Sequence, residues 1–371
     1  DPEAAHIVFH SGLPIKMVGW DVTLQAAFFD LNEAELGSLL LAMPLSSLAG
    51  VPISGWLVAK FNSRKPLLIS FLLFNFTLIW IGFATSITSL LIGISMFSFF
   101  MRILNISINT QSIVLQNKYQ KPIVGSFHGL WSLGGLIGVL FSTLMVKWQV
   151  NIGIHFTGVG ILTSILIVIA YFFSLKNDKS STGNKIIFGK PDPFLLTLGL
   201  IILLAAICEG GMFDWSGVYF KEVIKEDVFT LGYLSFMACM ALSRFFSDKF
   251  IVRFGVKKTY LFSAITIQIG ILIAILLPFF WTALLGFCLV GFGTAAIFPM
   301  TFALAGTSKK YSPGMAIAII STFGIVGMFI GPPLIGYLAH AFGLQKAFLI
   351  FVVGGFLIIP ISRLFFKIQA H

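Results

Sequence analysis

Residues 54–68 read SGWLVAKFNSRKPLL, and residues 247–261 read SDKFIVRFGVKKTYL. The two stretches align without a gap at an offset of 193, setting Lys60 on Arg253, Arg64 on Lys257 and Lys65 on Lys258. The same offset lays HGLWSLGGLIG at 128–138 over STFGIVGMFIG at 321–331, where Gly134 meets Gly327 and Gly138 meets Gly331. One offset that serves two separated segments marks an internal duplication.

The chain around these stretches is built for lipid. Of 371 residues, 57% are apolar and 10% are charged, whereas a soluble domain is about a quarter charged. So few charged groups cannot clothe a water-facing surface. Runs of about 20 apolar residues, the length that crosses a bilayer, recur along the chain. They predict spans at 7–29, 36–59, 66–86, 88–115, 123–147, 151–174, 193–220, 229–251, 259–280, 282–307, 314–340 and 346–366. The expected fold is therefore an all-α membrane protein of twelve transmembrane helices in two pseudo-symmetric six-helix bundles. The longest connection is polar, with Asn177, Asp178, Ser180, Ser181, Thr182 and Gly183. It reads as a linker over 175–192, between a first bundle at 1–174 and a second at 193–371.

The formal charge of +10 raises nucleic acid as a partner, and the position of the charges decides against it. Counted together with the span ends that adjoin them, connections after even-numbered spans, with the C-terminal tail, hold 17 of the Lys and Arg residues, and those after odd-numbered spans hold 4. The other three, Lys16, Arg102 and Arg244, lie deeper inside spans. This is the positive-inside bias, and it puts both termini and the linker in the cytoplasm. Cys208, Cys239 and Cys288 lie in apolar spans without metal-site spacing, so neither a disulfide framework nor a metal site is expected. The sequons at Asn75 and Asn105 also fall inside spans, and no secretory leader is expected. Six spans return the chain to its starting side, so the halves run in the same orientation. Parallel six-helix repeats are a transporter architecture, with the site at their interface.

The basic loop resembles the signature of the major facilitator superfamily, a Gly-x-x-x-Asp-Arg-x-Gly-Arg-Arg-like segment after the second helix. Here it runs from Gly55 to Lys65, with a copy from Asp248 to Lys258. The first copy departs from the pattern, with Ala59 at the acidic position and Asn62 at the glycine. The second keeps Gly255 and has Asp248 four residues after Arg244. In that family the loop latches the halves, which implies a latch role for Gly55, Arg64, Lys65, Arg244, Asp248, Gly255 and Lys257. Gly327, Gly331, Pro332, Pro333 and Gly336 are similar to its small-residue interface helices. HGLWSLGGLIG together with EGGMFDWSG at 209–217 resembles a bacterial inner-membrane branch grouped with fucose permeases, which implies sugar-like or polyol substrates.

Residues 7–29, with His10, Pro14, Lys16, Asp21 and Gln25, make a poor lipid-facing helix. Either the segment lines a cavity against other helices, or it is altered. No enzyme constellation is present: there is no Gly-x-Ser-x-Gly, no His-Glu-x-x-His and no phosphate-cradling loop. Nothing implies a cofactor. Transport needs polar groups at mid-membrane, where an ionisable side chain is costly and points to function. Arg102, Asn105, Asn109, Ser112 and Gln116 fall within about 80° of one helical face. The first three are expected to bind substrate, against the plainer reading of interhelical hydrogen bonds. Glu209 and Asp214 in the seventh span are candidate proton carriers, Glu209 answering to Arg102, with Gly210 and Gly211 free to unwind between them. The plainer reading is a static salt bridge or a helix-end contact. His128, Trp131 and Trp215 are further substrate candidates, set against packing and interface anchoring. His155 and Tyr219 are weaker candidates of the same kinds. The tenth span, with Gly291, Gly293 and Pro299, carries no charge, so the expected lining is asymmetric and suits an amphipathic solute.

These readings lead to a monomeric ion-coupled carrier in a bacterial inner membrane, a proton symporter with sodium as the other candidate ion. An exporter or antiporter of amphipathic compounds is the nearest rival. A membrane receptor or intramembrane enzyme is the more distant one.

Overall fold

The computed structural model describes residues 33–176, 192–226 and 230–369. The first expected span, and with it Lys16 and Asp21, lies outside them, as does most of the linker. Every element among the described residues is helical. In chain order they are α1 (Glu33–Phe61), α2 (Arg64–Gly82), α3 (Ile87–Tyr119), α4 (Val124–Lys147), α5 (Ile152–Phe173) and α6 (Pro193–Tyr219). A single π-turn, Phe220–Ile224, extends α6. Then follow α7 (Thr230–Phe254), α8 (Val256–Leu276), α9 (Phe280–Thr294), α10 (Ile297–Ala305), α11 (Pro313–Phe342), α12 (Leu344–Ala347) and α13 (Leu349–Gln369). Nine helices among the described residues are long and apolar enough to cross a membrane. Helices α4 and α7 stand at the fifth and eighth expected spans.

Local chemistry sets the helix ends. Asn151 Oδ1 accepts from the Gly153 amide at 2.9 Å and opens α5. Asp192 caps α6 in the same way through the Leu195 amide, with Pro193 at the first helical position. Ser312 and Pro313 repeat that arrangement at α11. Gly343, at φ 84°, stops α11 and turns the chain into α12. The tenth expected span is two helices, broken between Thr294 and Ile297. Its glycines are contact points: a Cβ on Gly293 would lie 2.7 Å from the Ser263 carbonyl oxygen, and one on Gly291 3.0 Å from the Met240 nitrogen.

The described chain divides into two compact units. One takes in the described parts of Asp1–Gln111 and Gly134–Ile187, the other Ser112–Leu133 and Phe188–His371. The core of the first gathers Ile81, Leu90, Ile94, Phe97 and Phe156. That of the second centres on Tyr219, Phe220, Phe287, Phe348 and Phe351, where Tyr219 also donates to the Ala274 carbonyl at 2.8 Å. Segment 112–133, the end of α3 and the start of α4, belongs to the second unit although it precedes the linker.

Candidate functional site

The start of α4 is held by polar groups from two other helices. The first amides of a helix have no partner within it and carry the positive end of its dipole. Gln116 Oε1, on α3, accepts from the amides of Ile123 at 2.9 Å and Val124 at 3.3 Å. Asp248, on α7, takes the next two: Oδ1 accepts from the Gly125 amide at 2.9 Å, and Oδ2 from the Ser126 amide at 2.7 Å. The Ser126 hydroxyl donates to the same Oδ2 at 2.6 Å. Asp248 is thus an N-cap supplied across helices, and it is buried. Glycine makes the approach possible. A Cβ on Gly125 would fall on Ser247 Oγ and lie 2.7 Å from Asp248 Oδ1, and one on Gly129 would press on the Phe245 ring at 3.1 Å.

One helical turn back along α7 lies Arg244, only 3% exposed. Its Nη2 donates to Glu209 Oε1 on α6 at 3.2 Å, forming a buried ion pair. Its Nη1 donates to Ser132 Oγ on α4 at 2.7 Å. Ser132 passes the contact on to the His128 carbonyl at 3.0 Å, and the Trp131 ring stands 6.0 Å from the guanidinium. Arg244 therefore joins α6, α7 and α4, and Asp248 joins α7 to α4 again. Glu209 Oε2, Arg244 Nε and His128 Nε2 are buried without a hydrogen-bond partner. The His128 ring packs at 6.0 Å from Phe302.

Two expectations for the seventh span need correcting. Glu209 pairs with Arg244, whereas Arg102 donates through Nε to Ser47 Oγ on α1 at 2.8 Å. Helix α6 also runs unbroken through Gly210 and Gly211. Those glycines serve close packing: a Cβ on Gly211 would meet the Phe351 ring at 2.7 Å, and one on Gly210 would meet Met328 Cα at 3.3 Å. Asp214 is exposed. Trp215 donates from its indole nitrogen to the Pro332 carbonyl at 3.1 Å, tying α6 to α11.

The polar stripe of the fourth span lies along α3. Asn109 Nδ2 donates to the Asn105 carbonyl at 2.8 Å and to Asn105 Oδ1 at 3.2 Å. Arg102 also packs on Gly50, where a Cβ would lie 3.1 Å from its own Cβ. Gln116, read as a lower member of the stripe, instead caps α4. Gln111 was not singled out by sequence. It donates to Ser63 Oγ at 2.6 Å and accepts from the Leu175 amide at 3.0 Å.

The first copy of the basic loop works within its own unit. Gly55 is buried, Lys65 is exposed, and Asn62 adopts φ 65°. Arg64 Nε donates to the Tyr171 carbonyl at 2.8 Å, with its guanidinium 3.8 Å above the Tyr171 ring. In the second copy Gly255 adopts φ 78°, and Lys257 is exposed. Offset 193 sets Asn62 on Gly255, so both copies of the loop place a positive-φ residue at the same aligned position, Gly255 with an extended ψ of 159°.

Among the described residues no three His, Cys, Asp or Glu side chains cluster as metal ligands. The chain is 28% identical over 341 residues to an uncharacterised MFS-type transporter of Yersinia pestis, covering 90% of this chain and 88% of that one. It is 29% identical over 344 residues to the membrane protein MosC of Rhizobium meliloti, covering 91% and 83%. Among solved structures it is similar to the major facilitator superfamily transporter FucP in the outward conformation, at TM-score 0.78 and 16% identity, covering 98% of this chain and 95% of that one. It is also similar to the human organic anion transporter MFSD10, at TM-score 0.72 and 14% identity, covering 97% and 93%. At those identities the structures share the fold, an all-α membrane fold of twelve helices in two six-helix bundles. The family model described as Major Facilitator Superfamily matches residues 11–251 and 224–371, nearly the whole length, and the chain belongs to the major facilitator superfamily.

Proposed function

We propose that the chain carries a small polar or amphipathic, sugar- or polyol-like solute by alternating access, driven by proton symport. The observation that supports this most is the buried Glu209–Arg244 pair and its link to α4 through Ser132. A buried ion pair is held by mutual compensation, and removing one charge leaves the other unpaid in a low-dielectric site. A proton on Glu209 cancels that charge. Arg244 then changes partners, and the hold of α7 on α4 weakens. A chemical event at one carboxyl group is thereby turned into helix movement, which is what coupling requires. FucP of E. coli is a fucose:proton symporter, and that likeness lends the sugar and proton reading its direction.

In this proposal the six-helix halves 1–174 and 193–371, joined by the linker 175–192, rock about a site near the midplane. Arg102, Asn105, Asn109, His128 and Trp131 form its substrate face, with Trp215 at its margin. Glu209 carries the proton, and Asp214 is the second acidic group. Gly55, Arg64, Lys65, Arg244, Asp248, Gly255 and Lys257 form the conformational latch. The protein works as a monomer in a bacterial inner membrane, with both termini in the cytoplasm.

The test is solute-driven current in proteoliposomes. A panel of sugars, polyols, amino sugars and organic cations is applied at several pH values, with and without sodium, to wild type and Glu209→Gln. The expected result is an inward current with a sugar or polyol that needs a proton gradient and disappears in the variant. A current of opposite sign, or uptake of an amphipathic cation in exchange for protons, supports the antiport reading instead.

A further inference from the structure

The ion pair at the centre of the site is only half closed. Within a guanidinium, Nε–H and Nη2 lie along one edge and form a fork that fits the two oxygens of a carboxylate. Here Nη2 meets Glu209 Oε1 at 3.2 Å, while Arg244 Nε and Glu209 Oε2 are both buried without a partner. The residues are 3% and 4% exposed, so bulk water does not satisfy these atoms. Leaving a buried polar atom without a hydrogen bond is costly, more so for charged groups. Two such atoms on one ion pair are a structural demand, and their chemistry says what meets it. Arg244 Nε needs an acceptor and Glu209 Oε2 needs a donor. A carbonyl answers only the first and an ammonium only the second. A hydroxyl answers both, accepting from one and donating to the other.

We infer that the open edge of the Glu209–Arg244 pair is a substrate subsite for one hydroxyl group of a polyhydroxylated solute. Nothing else described for this chain gives the pair a ligand: Glu209 stands as proton carrier and Arg244 as part of the latch. The inference rests on the proposed sugar or polyol substrate and deepens it. It makes the pair the place where solute and proton meet, because the hydroxyl that fills the fork sits on the carboxyl group that takes the proton. The residues are sealed, so the hydroxyl is engaged when the solute is enclosed. The same guanidinium lies over the Trp131 ring, 6.0 Å from its centroid, so the indole borders the pair and offers an apolar surface to the C–H side of the solute.

The experiment uses the full chain in proteoliposomes. Counterflow is measured with a radiolabelled hexose, pentose and hexitol, together with the monodeoxy analogues of whichever is carried. In wild type, one deoxy position is expected to weaken apparent affinity about tenfold, the loss that corresponds to about 1.4 kcal/mol. Arg244→Lys keeps the positive charge and removes Nε. It is expected to weaken the parent solute by a similar factor and to show no further loss with that one analogue. Glu209→Asp keeps the carboxylate but draws both its oxygens back by one methylene and is expected to behave alike, so the result does not depend on either variant alone folding well. Equal sensitivity of every analogue in wild type and variants, or unchanged affinity in both variants, overturns the subsite and leaves a trapped water as the filler of the fork. Carriage of solutes that lack hydroxyls, with none of the panel carried, overturns the proposed substrate class and the subsite with it. Normal carriage with unchanged affinity removes only the subsite.

Discussion

The two copies of the basic loop share a backbone and divide the labour. Asn62 and Gly255 both take a positive φ at the same aligned position, and basic residues follow both. The surroundings differ. In the first copy Arg64 fastens the loop to α5 through the Tyr171 carbonyl and ring, a contact within one unit of one half. In the second copy Asp248 reaches the start of α4, a helix of the other sequence half, and Arg244 reaches it again a turn away. At the same offset the first half has Gly55 in place of Asp248 and buried Val51 in place of Arg244. A duplicated backbone has thus been given a fastening to a backbone carbonyl and a ring in one copy and one through a buried carboxylate and guanidinium in the other. Only the second contains a group whose charge a proton can cancel.

The sharpest way to break this comparison is to remove one member of the ion pair. Arg244→Ala leaves Glu209 buried without its cation, and losses of about 3–5 kcal/mol are typical of such changes. Arg64→Ala in the first copy loses a half-exposed contact, for about 1 kcal/mol. Thermal unfolding of the purified variants in one detergent should therefore rank Arg244→Ala far below Arg64→Ala. Equal losses would mean that the two copies are equivalent fastenings. The next effect is steric. Gly125→Ala drives a Cβ onto Ser247 Oγ and toward Asp248. Overpacking of this kind costs about 1–3 kcal/mol. Its signature is a loss of the α4–α7 contact, read as a faster cysteine cross-linking change between 126 and 248 replacements during turnover. Asp248→Ala removes the acceptor for two α4 amides, a loss of about 1–2 kcal/mol by analogy with N-caps. Asp248→Asn keeps an acceptor and should lose less, so the difference between the two isolates the capping.

Much of this was legible from the chain alone. The apolar runs locate the helices within a few residues, because in a bilayer the backbone must satisfy itself and length is set by thickness. Offset 193 places the loops, since a positive φ falls at the same aligned position in both and the chain supplies glycine once and asparagine once. Partners were less legible. From sequence Glu209 is expected to answer to Arg102 across a cavity, yet Arg244, also in a span, lies within 3.2 Å. Charge sites announce themselves in an apolar chain, but pairing depends on helix rotation and on which neighbours are small. Gly125 and Gly129, four residues apart on one face of α4, were the available signal for the approach of α7. Gly210 and Gly211 were read for backbone freedom when they serve packing. A glycine run by itself does not distinguish the two uses. Trp215 likewise spends its indole N–H on Pro332, a use that only the meeting of α6 with α11 reveals.

The smallest effect tests the shared backbone itself. Positive φ is free for glycine, tolerated by asparagine and strained for alanine. Gly255→Ala places a Cβ on a residue at φ 78°, where open space leaves strain as the whole cost. The expected loss is about 1 kcal/mol. Asn62→Gly relieves the milder strain at φ 65° but frees the unfolded chain and gives up the Asn62 Nδ2 bond to the Lys176 carbonyl at 2.9 Å. These terms oppose one another, so its stability change should stay within about 0.5 kcal/mol. Gly255 combines φ 78° with ψ 159°, a region essentially confined to glycine, so Gly255→Asn, which copies the first loop's residue into the second, should cost about as much as Gly255→Ala. That order, measured by thermal unfolding, follows if the two copies share the sign of φ and not the whole turn. If Gly255→Asn were clearly milder than Gly255→Ala, the second copy would relax into a turn that asparagine tolerates, and one left-handed turn would serve both loops.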